Sequence, residues 1–250
     1  MPSAPDVARA DPADLAAVLD WLEREYQEDG EGFWSNRGTI TDALEYETLW
    51  VIRRGGEAVA FQVGSYAPAI ANVRKDWRRQ GLGDMLFAAS LERAVADNVN
   101  LLSIECSPRS SWSYWQRHGF ERYGDMREWG KLTARRVLAR AFDVPSELPE
   151  VHVVIGFYPE VVTYGRDVPP IAVHPVRGGR LNDGAIMLER RVIALSDDEP
   201  EGKNLAVKIE VDGELRYFSK AKYEEAAEAG VIHDRHGGTF YVDYVEPREP

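Results

Sequence analysis

Four cations and two glycines crowd one short stretch of this chain: Arg74, Lys75, Arg78 and Arg79, followed by Gln80-Gly81-Leu82-Gly83-Asp84. Glycines at such a junction let the backbone turn tightly and bring successive N–H groups close to a ligand. Just before them, Ala69-Ile70-Ala71-Asn72-Val73 reads as a short strand. Just after them, Leu82, Met85, Leu86 and Ala89 fall at i, i+3, i+4 and i+7, one face of a helix. A helix that starts here points the positive end of its dipole at the loop. Clustered cations, free N–H groups and a helix N-terminus suit a polyanion, most simply a pyrophosphate.

Three phosphate loops compete for this reading. A Walker A loop requires Gly-x-x-x-x-Gly-Lys-Ser/Thr, and no such lysine and hydroxyl follow, so it is excluded. A dinucleotide fingerprint requires Gly-x-Gly-x-x-Gly/Ala. Here Gly81-Leu82-Gly83-Asp84-Met85-Leu86 places leucine at the third site, although Glu105 at the end of the next strand resembles the ribose-binding acid. In that fold an apolar strand abuts the first glycine, whereas Asp76-Trp77-Arg78-Arg79-Gln80 intervene here. The third loop type, Arg/Gln-x-x-Gly-x-Gly/Ala, is matched by Arg78-x-x-Gly81-x-Gly83.

Other reactive side chains carry less. Cys106 has no histidine close in sequence and reads as buried packing rather than a nucleophile. His233-Asp234-Arg235-His236 has the residue types of a metal site but no third or fourth ligand at a recognisable spacing, so it reads as a polar loop and no metal is expected.

The chain as a whole narrows the setting. Its 250 residues are 44% hydrophobic, enough for one large or two ordinary cored domains. No apolar run approaches the ~20 residues of a membrane span, and the N-terminus lacks a basic-then-apolar signal pattern. One cysteine forms no internal disulfide, and a cytoplasmic address is the simplest expectation. The net charge of −12 argues against nucleic acid and leaves the loop as a basic island in a negative field. That field suits a cationic amine, or it serves solubility alone.

The positioning elements can also be read. Val7 to Ala10 is strand-like, and Asp11 with Pro12 makes a helix start. Leu49 to Arg53, a Gly55-Gly56 turn and Ala58 to Val63 form a hairpin. The loop helix, Asp84 to Asp97, precedes a strand, Leu101 to Cys106, and the stretch Trp112 to Phe120. Residues 131–142 read as a helix carrying Leu132, Arg135-Arg136, Leu138 and Ala139; Val144-Pro145-Ser146-Glu147-Leu148-Pro149 then breaks the pattern. Beyond it, Val151 to Phe157, Glu160 to Tyr164, Ala185 to Leu195, Leu205 to Val211, Leu215 to Phe218 and Thr239 to Val245 are strand-like. Asp212-Gly213 is a hairpin turn, and Ala221 to Ala229 a short helix. The expected organisation is residues 1–143 as one domain and residues 146–250 as a strand-rich module, an α/β (α+β) chain.

This order of elements over residues 5–127, with Arg78-x-x-Gly81-x-Gly83 and Trp115-Gln116-Arg117-His118-Gly119-Phe120, resembles the GNAT superfamily of N-acetyltransferases. The resemblance implies a mixed central sheet flanked by helices and acetyl-CoA as co-substrate. It implies that Arg78, Arg79, Gln80, Gly81, Leu82, Gly83 and Asp84 wrap the pyrophosphate and that backbone near Val73 orients the thioester. Ile104-Glu105-Cys106 resembles the Leu-Glu-Val of members that modify protein N-termini, which implies Glu105 as general base. The family's acid for the departing thiolate is a tyrosine four residues before the closing Gly-Phe. That position holds Trp115 here, and Tyr114 is one residue away, about 100° around a helix. Tyr114 as a substitute acid, water as the proton source, or a degenerate CoA-binding sensor all follow from this departure. Phe33 and Trp34, in a glycine-rich segment, fall where the family places its variable acceptor-side elements. The acceptor is expected to be the amine of a small molecule or peptide; a homodimer or protein partner through the C-terminal module is left open.

Overall fold

Four short strands form the antiparallel sheet of the N-terminal unit: β1 (Val7–Arg9), β2 (Leu49–Arg54), β3 (Glu57–Val63) and β4 (Ile70–Val73), in the order β1-β2-β3-β4. The computed structural model describes residues 7–30, 32–123, 132–195, 204–234 and 239–247. The chain divides into two units, Met1–Asn98 with Ser103–Glu105, and Val99–Leu102 with Cys106–Pro250. β3 is buried from Ala58 to Val63 because helices cover both faces of the sheet. On one face, Val51, Phe61 and Val63 pack with Val18, Trp21 and Leu22 of α1 (Pro12–Asp29) and with Ile40 and Ala43 of α2 (Arg37–Glu45). On the other, Ile52, Val59 and Ala60 meet Leu82 and Leu86 of α3 (Leu82–Ala96). Each fully buried aliphatic or aromatic side chain of this kind contributes about 1.5–3 kcal/mol.

The expected start of α1 is present. Asp11 accepts hydrogen bonds from the N–H groups of Ala13 and Asp14 (2.8 and 2.9 Å), and Asp14 answers to the Asp11 N–H at 2.8 Å. This is a reciprocal capping box with Pro12 at the first helical position. Arg53 from β2 bonds to Asp14 as well, which fixes the helix start to the sheet.

A three-stranded sheet has the order β5-β7-β6, with β5 at Leu101–Glu105, β6 at Glu121–Arg122 and β7 at Thr133–Val137. A short helix, α4 (Trp112–Arg117), lies between β5 and β6 in sequence. The helix expected over residues 131–142 is therefore corrected: the described part, 132–142, holds the strand β7 and no helix. Leu132 and Ala134 are buried at period two, and Glu121 and Arg122 pair with Arg135 and Ala134. The Leu132 carbonyl accepts the Cys106 N–H at 2.7 Å, a ladder bond that no helix could make.

The remaining strands build one seven-stranded antiparallel sheet, β12-β11-β8-β9-β10-β14-β13. In chain order these are β8 (Glu150–Pro159), β9 (Ala172–Arg180), β10 (Ile186–Ile193), β11 (Leu205–Val211), β12 (Glu214–Lys220), β13 (Val231–His233) and β14 (Phe240–Val245). A short helix, α5 (Glu224–Glu228), connects β12 to β13. Val151, Val153, Ile155 and Phe157 of β8 alternate into the core with Val207, Ile209 and Val211 of β11. Asp212 and Gly213 take φ of 50° and 84°, as a two-residue hairpin turn with both central residues left-handed requires.

Glu160–Tyr164, expected as a strand, is a 3-10 turn. The Thr163 hydroxyl bonds back to the Glu160 carbonyl at 2.8 Å, and Gly165 at φ 79° ends the turn. The Glu160 carboxylate takes Lys220 Nζ at 2.5 Å, Lys222 Nζ at 3.2 Å and the Tyr164 hydroxyl at 3.1 Å. Lys220 above all holds its pKa down at about 2, against the opposing effect of desolvation and with help from Lys222 and Tyr164. A carboxyl with a depressed folded-state pKa stabilises at pH above its ordinary value of 4.5 and loses that contribution as pH falls towards about 2. Glu160→Gln should therefore melt below the parent at pH 7, with the two melting temperatures converging between pH 4.5 and about 2. Equal melting temperatures at pH 7 would refute this coupling.

Candidate active site

The glycine loop joins β4 to α3 through a sequence of constrained backbone angles. Lys75–Trp77 is a 3-10 turn, Arg78 is extended, and Arg79 and Gly81 are left-handed at φ 60° and 79°. Gly81 caps α3 with no side-chain acceptor, so the N–H groups of Leu82, Gly83 and Asp84 begin the helix without a capping oxygen. A Cβ built on Gly81 meets nothing within 4 Å, so the backbone faces open space. A helix start without a side-chain cap, the dipole of a 15-residue helix and clear approach together suit an anion. At its upstream end the Val73 N–H is already donated to Asn72 Oδ1 at 2.9 Å. A thioester oxygen using that N–H would have to replace the Asn72 side chain.

The cations around the loop divide into braces and one free charge. Arg74 binds Asp76 (2.8 Å) and Glu57 (3.0 Å), and Lys75 binds Asp29 and Glu28. Arg78 donates through Nε to the Val73 carbonyl at 2.8 Å and through Nη2 to Glu25 at 3.2 Å. Arg79 is exposed, and among the described residues it has no ion-pair partner. The signature arginine thus folds the loop onto itself, and Arg79 is the cation left to meet an anion.

Glu25 was not legible as a site residue, yet it organises the loop. It is 8% exposed, and its carboxylate accepts the Lys75 N–H at 2.8 Å as well as the Arg78 guanidinium. Glu25, Glu28 and Asp29 sit three and four residues apart, on one face of the last turns of α1. Matching that acidic face against the basic island Arg74 to Arg79 is the signal that could have found it.

Glu105 ends β5 with its side chain exposed, on the strand face of Ser103, while Leu102 and Ile104 are buried. It belongs to the same unit as the glycine loop. Phe33 and Trp34 are also in that unit, on a 3-10 turn between α1 and α2; both are half-buried against the core, with Arg37 over the Trp34 ring at 5.1 Å. Tyr114 is in the second unit, on α4, half-buried, with its ring 4.6 Å from His118 and 4.8 Å from Trp115. Trp115 packs edge-on against Phe120 at 5.5 Å, and Phe120 is 2% exposed. Trp115 is a packing residue of the Gly119 turn, which is left-handed at φ 77°.

Cys106 is buried, and burial pushes its thiol pKa up, away from the thiolate a nucleophile needs. Among the described residues no group of three or more His, Cys, Asp or Glu is arranged to hold a metal. His233 stacks near Phe240 at 5.0 Å, and His236 lies outside the described residues. No helix among the described residues is long and apolar enough to cross a membrane.

Residues 15–120 match the model of the acetyltransferase (GNAT) family. No curated protein matches the chain. Among solved structures, a GNAT-family acetyltransferase from Listeria monocytogenes is similar at 15% identity, covering 54% of this chain and 95% of that one, with a TM-score of 0.45. The ribosomal-protein-alanine N-acetyltransferase of Brucella melitensis is similar at 21% identity over 53% and 99% of the two chains, TM-score 0.40. The PaiA N-acetyltransferase of Thermoplasma acidophilum, in complex with coenzyme A, is similar at 7% identity over 54% and 99%, TM-score 0.42. The family model matches residues 15–120 as a GNAT acetyltransferase domain and leaves the C-terminal half unmatched.

Proposed function

We propose that this chain transfers an acyl group, acetyl in the simplest case, from acyl-CoA to an amine in a ternary complex. The observation that carries this reading is the braced, uncapped turn at Gly81, whose backbone faces open space at the head of α3. The pyrophosphate would lie on the N–H groups of Leu82, Gly83 and Asp84 beside Arg79, with Gln80 at the rim and Arg78 holding the loop closed. The amine, in its neutral form, attacks the thioester carbonyl; the new C–N bond forms, the C–S bond breaks, and the thiolate leaves. Glu105, exposed at the end of β5, takes the proton from nitrogen, directly or through water. Phe33 and Trp34 would line the acceptor side. Acyl transfer from acetyl-CoA to a panel of amines, comprising a polyamine, an arylalkylamine, an aminoglycoside and a peptide with a free α-amine, tests the reading.

A second reading has its own support, because Trp115 occupies the position of the family's acid and is used in packing. On that reading the domain binds CoA as a sensor and does not turn over. Turnover on the amine panel separates the two, and side-chain exchange then separates the proton sources. If Tyr114 supplies the proton to the thiolate, Tyr114→Phe slows acyl transfer. Trp115→Tyr, which restores the family arrangement, should be neutral or faster despite weaker packing on Phe120. If both variants match the parent, solvent is the proton source and Tyr114 has no chemical role.

A further inference from the structure

Asn100 is the residue immediately before β5, and the C-terminal sheet grips it from several sides. It is fully buried. Its N–H donates to Asp234 Oδ2 at 2.9 Å, and its Oδ1 accepts from Arg191 Nη1 at 2.6 Å. Arg191, on β10 and 5% exposed, closes a fork on Asp243 of β14 through Nε (2.8 Å) and Nη2 (2.5 Å). The Tyr241 ring lies 3.9 Å from the same guanidinium. The Asn100 carbonyl accepts the Leu138 N–H at 2.9 Å, just beyond β7.

This network fixes a direction and a register. A guanidinium is planar, so a fork on Asp243 aims its remaining Nη1 donor along one line, and Asn100 must lie on it. The Asn100 and Cys106 bonds to Leu138 and Leu132 hold β5 at both ends in one antiparallel register. Strand side chains alternate, so a slip of one residue would exchange Ser103 and Glu105 with the buried Leu102 and Ile104. The buried, charge-assisted bonds at the root of β5 add to that alternation in marking the register.

We infer that the strand-rich C-terminal sheet is a register clamp for β5, with Asn100 and Arg191 as positioning residues for Glu105. The role assigned to Glu105 rests on the acyltransfer reading above; the clamp itself does not.

The test uses the full chain. Asn100→Leu keeps the side-chain size and removes the acceptor, and Asp243→Asn keeps the shape of the fork and removes its charge. Amide hydrogen exchange at Ser103–Cys106 should rise about tenfold or more in Asn100→Leu, and less in Asp243→Asn, while Glu57–Val63 of β3 stays at parent rates. With the most reactive amine of the panel, kcat should fall about tenfold while KM for acetyl-CoA holds, a split expected of lost positioning. Unchanged exchange at Ser103–Cys106, or an equal rise in β3, overturns the clamp. Should Asn100→Leu fail to fold, Asp243→Asn decides by the same readouts. Failure of the acyltransfer reading looks different: the parent would then acetylate no amine although exchange at Ser103–Cys106 responds to the variants as expected.

Discussion

Gly81→Asp should abolish the stabilisation that acetyl-CoA confers on the parent protein. A ligand held at ~100 times its dissociation constant adds about 2.7 kcal/mol to folding, a thermal shift of several degrees. The substituted carboxylate would project into the open space in front of α3, where the reading places the pyrophosphate, and would repel it. The substitution has a second effect that must be separated. Gly81 sits at φ 79°, so any L side chain there strains the backbone by about 1–2 kcal/mol. Gly81→Ala carries the same strain without the charge. The difference between the two variants in their response to acetyl-CoA, with the apo melting temperatures as baseline, isolates the electrostatic term. A parent-like shift in Gly81→Asp would place the site elsewhere.

Glu105→Gln should lower turnover by about 10²-fold or more, the usual contribution of a positioned general base. The amide keeps the size and shape of the carboxylate but accepts no proton at neutral pH. Because Glu105 lies outside the glycine loop, the acetyl-CoA thermal shift should persist in this variant. That pairing of lost turnover with retained binding is the signature to look for. A loss below about threefold at several pH values, well short of that contribution, would return Glu105 to an ordinary structural role.

The parts of this protein that were legible are those decided by neighbours in sequence. The Asp11-Pro12 helix start, the Gly55-Gly56 and Asp212-Gly213 turns, and the alternating runs of β8 and β11 need only local backbone chemistry. The glycine loop is legible for the same reason, since φ preference and helix start lie within a few residues. β9 is not among the expected strands, and it holds Pro175, Gly178 and Gly179, residue types that strand interiors seldom carry. Its glycines are there for close approach: a Cβ on Gly178 would fall 2.6 Å from the Met187 carbonyl oxygen, and one on Gly179 2.7 Å from Val144 Cγ1. β7 was misread because Leu132 and Ala139, seven residues apart with charges between them, satisfy a helical period, whereas Leu132 and Ala134 alternate as in a strand. Pairing with β6 decided the matter, and pairing is not visible in one segment.

The site divides along the same line. The turn and helix start of its glycine loop could be read, whereas the residue that braces the loop, Glu25, is 50 residues from Lys75 and 53 from Arg78. The four loop cations looked equivalent in sequence, but Arg74, Lys75 and Arg78 are each engaged by carboxylates, two of the three sets distant in the chain. The bonds from Asn100 to Arg191 and Asp234 span 91 and 134 residues. Long-range partners of this kind follow from the fold and precede it in no local pattern.

The central claim is acyl transfer from acyl-CoA to an amine at the Gly81 turn. Its most direct test is release of the CoA thiol from acetyl-CoA across the amine panel, with the acetylated amine identified by mass and Gly81→Asp run beside the parent. The predicted result is one thiol released per amine acetylated by the parent, and neither product from Gly81→Asp. Parent protein that acetylates no amine, or a Gly81→Asp variant that acetylates as fast as the parent, would contradict it.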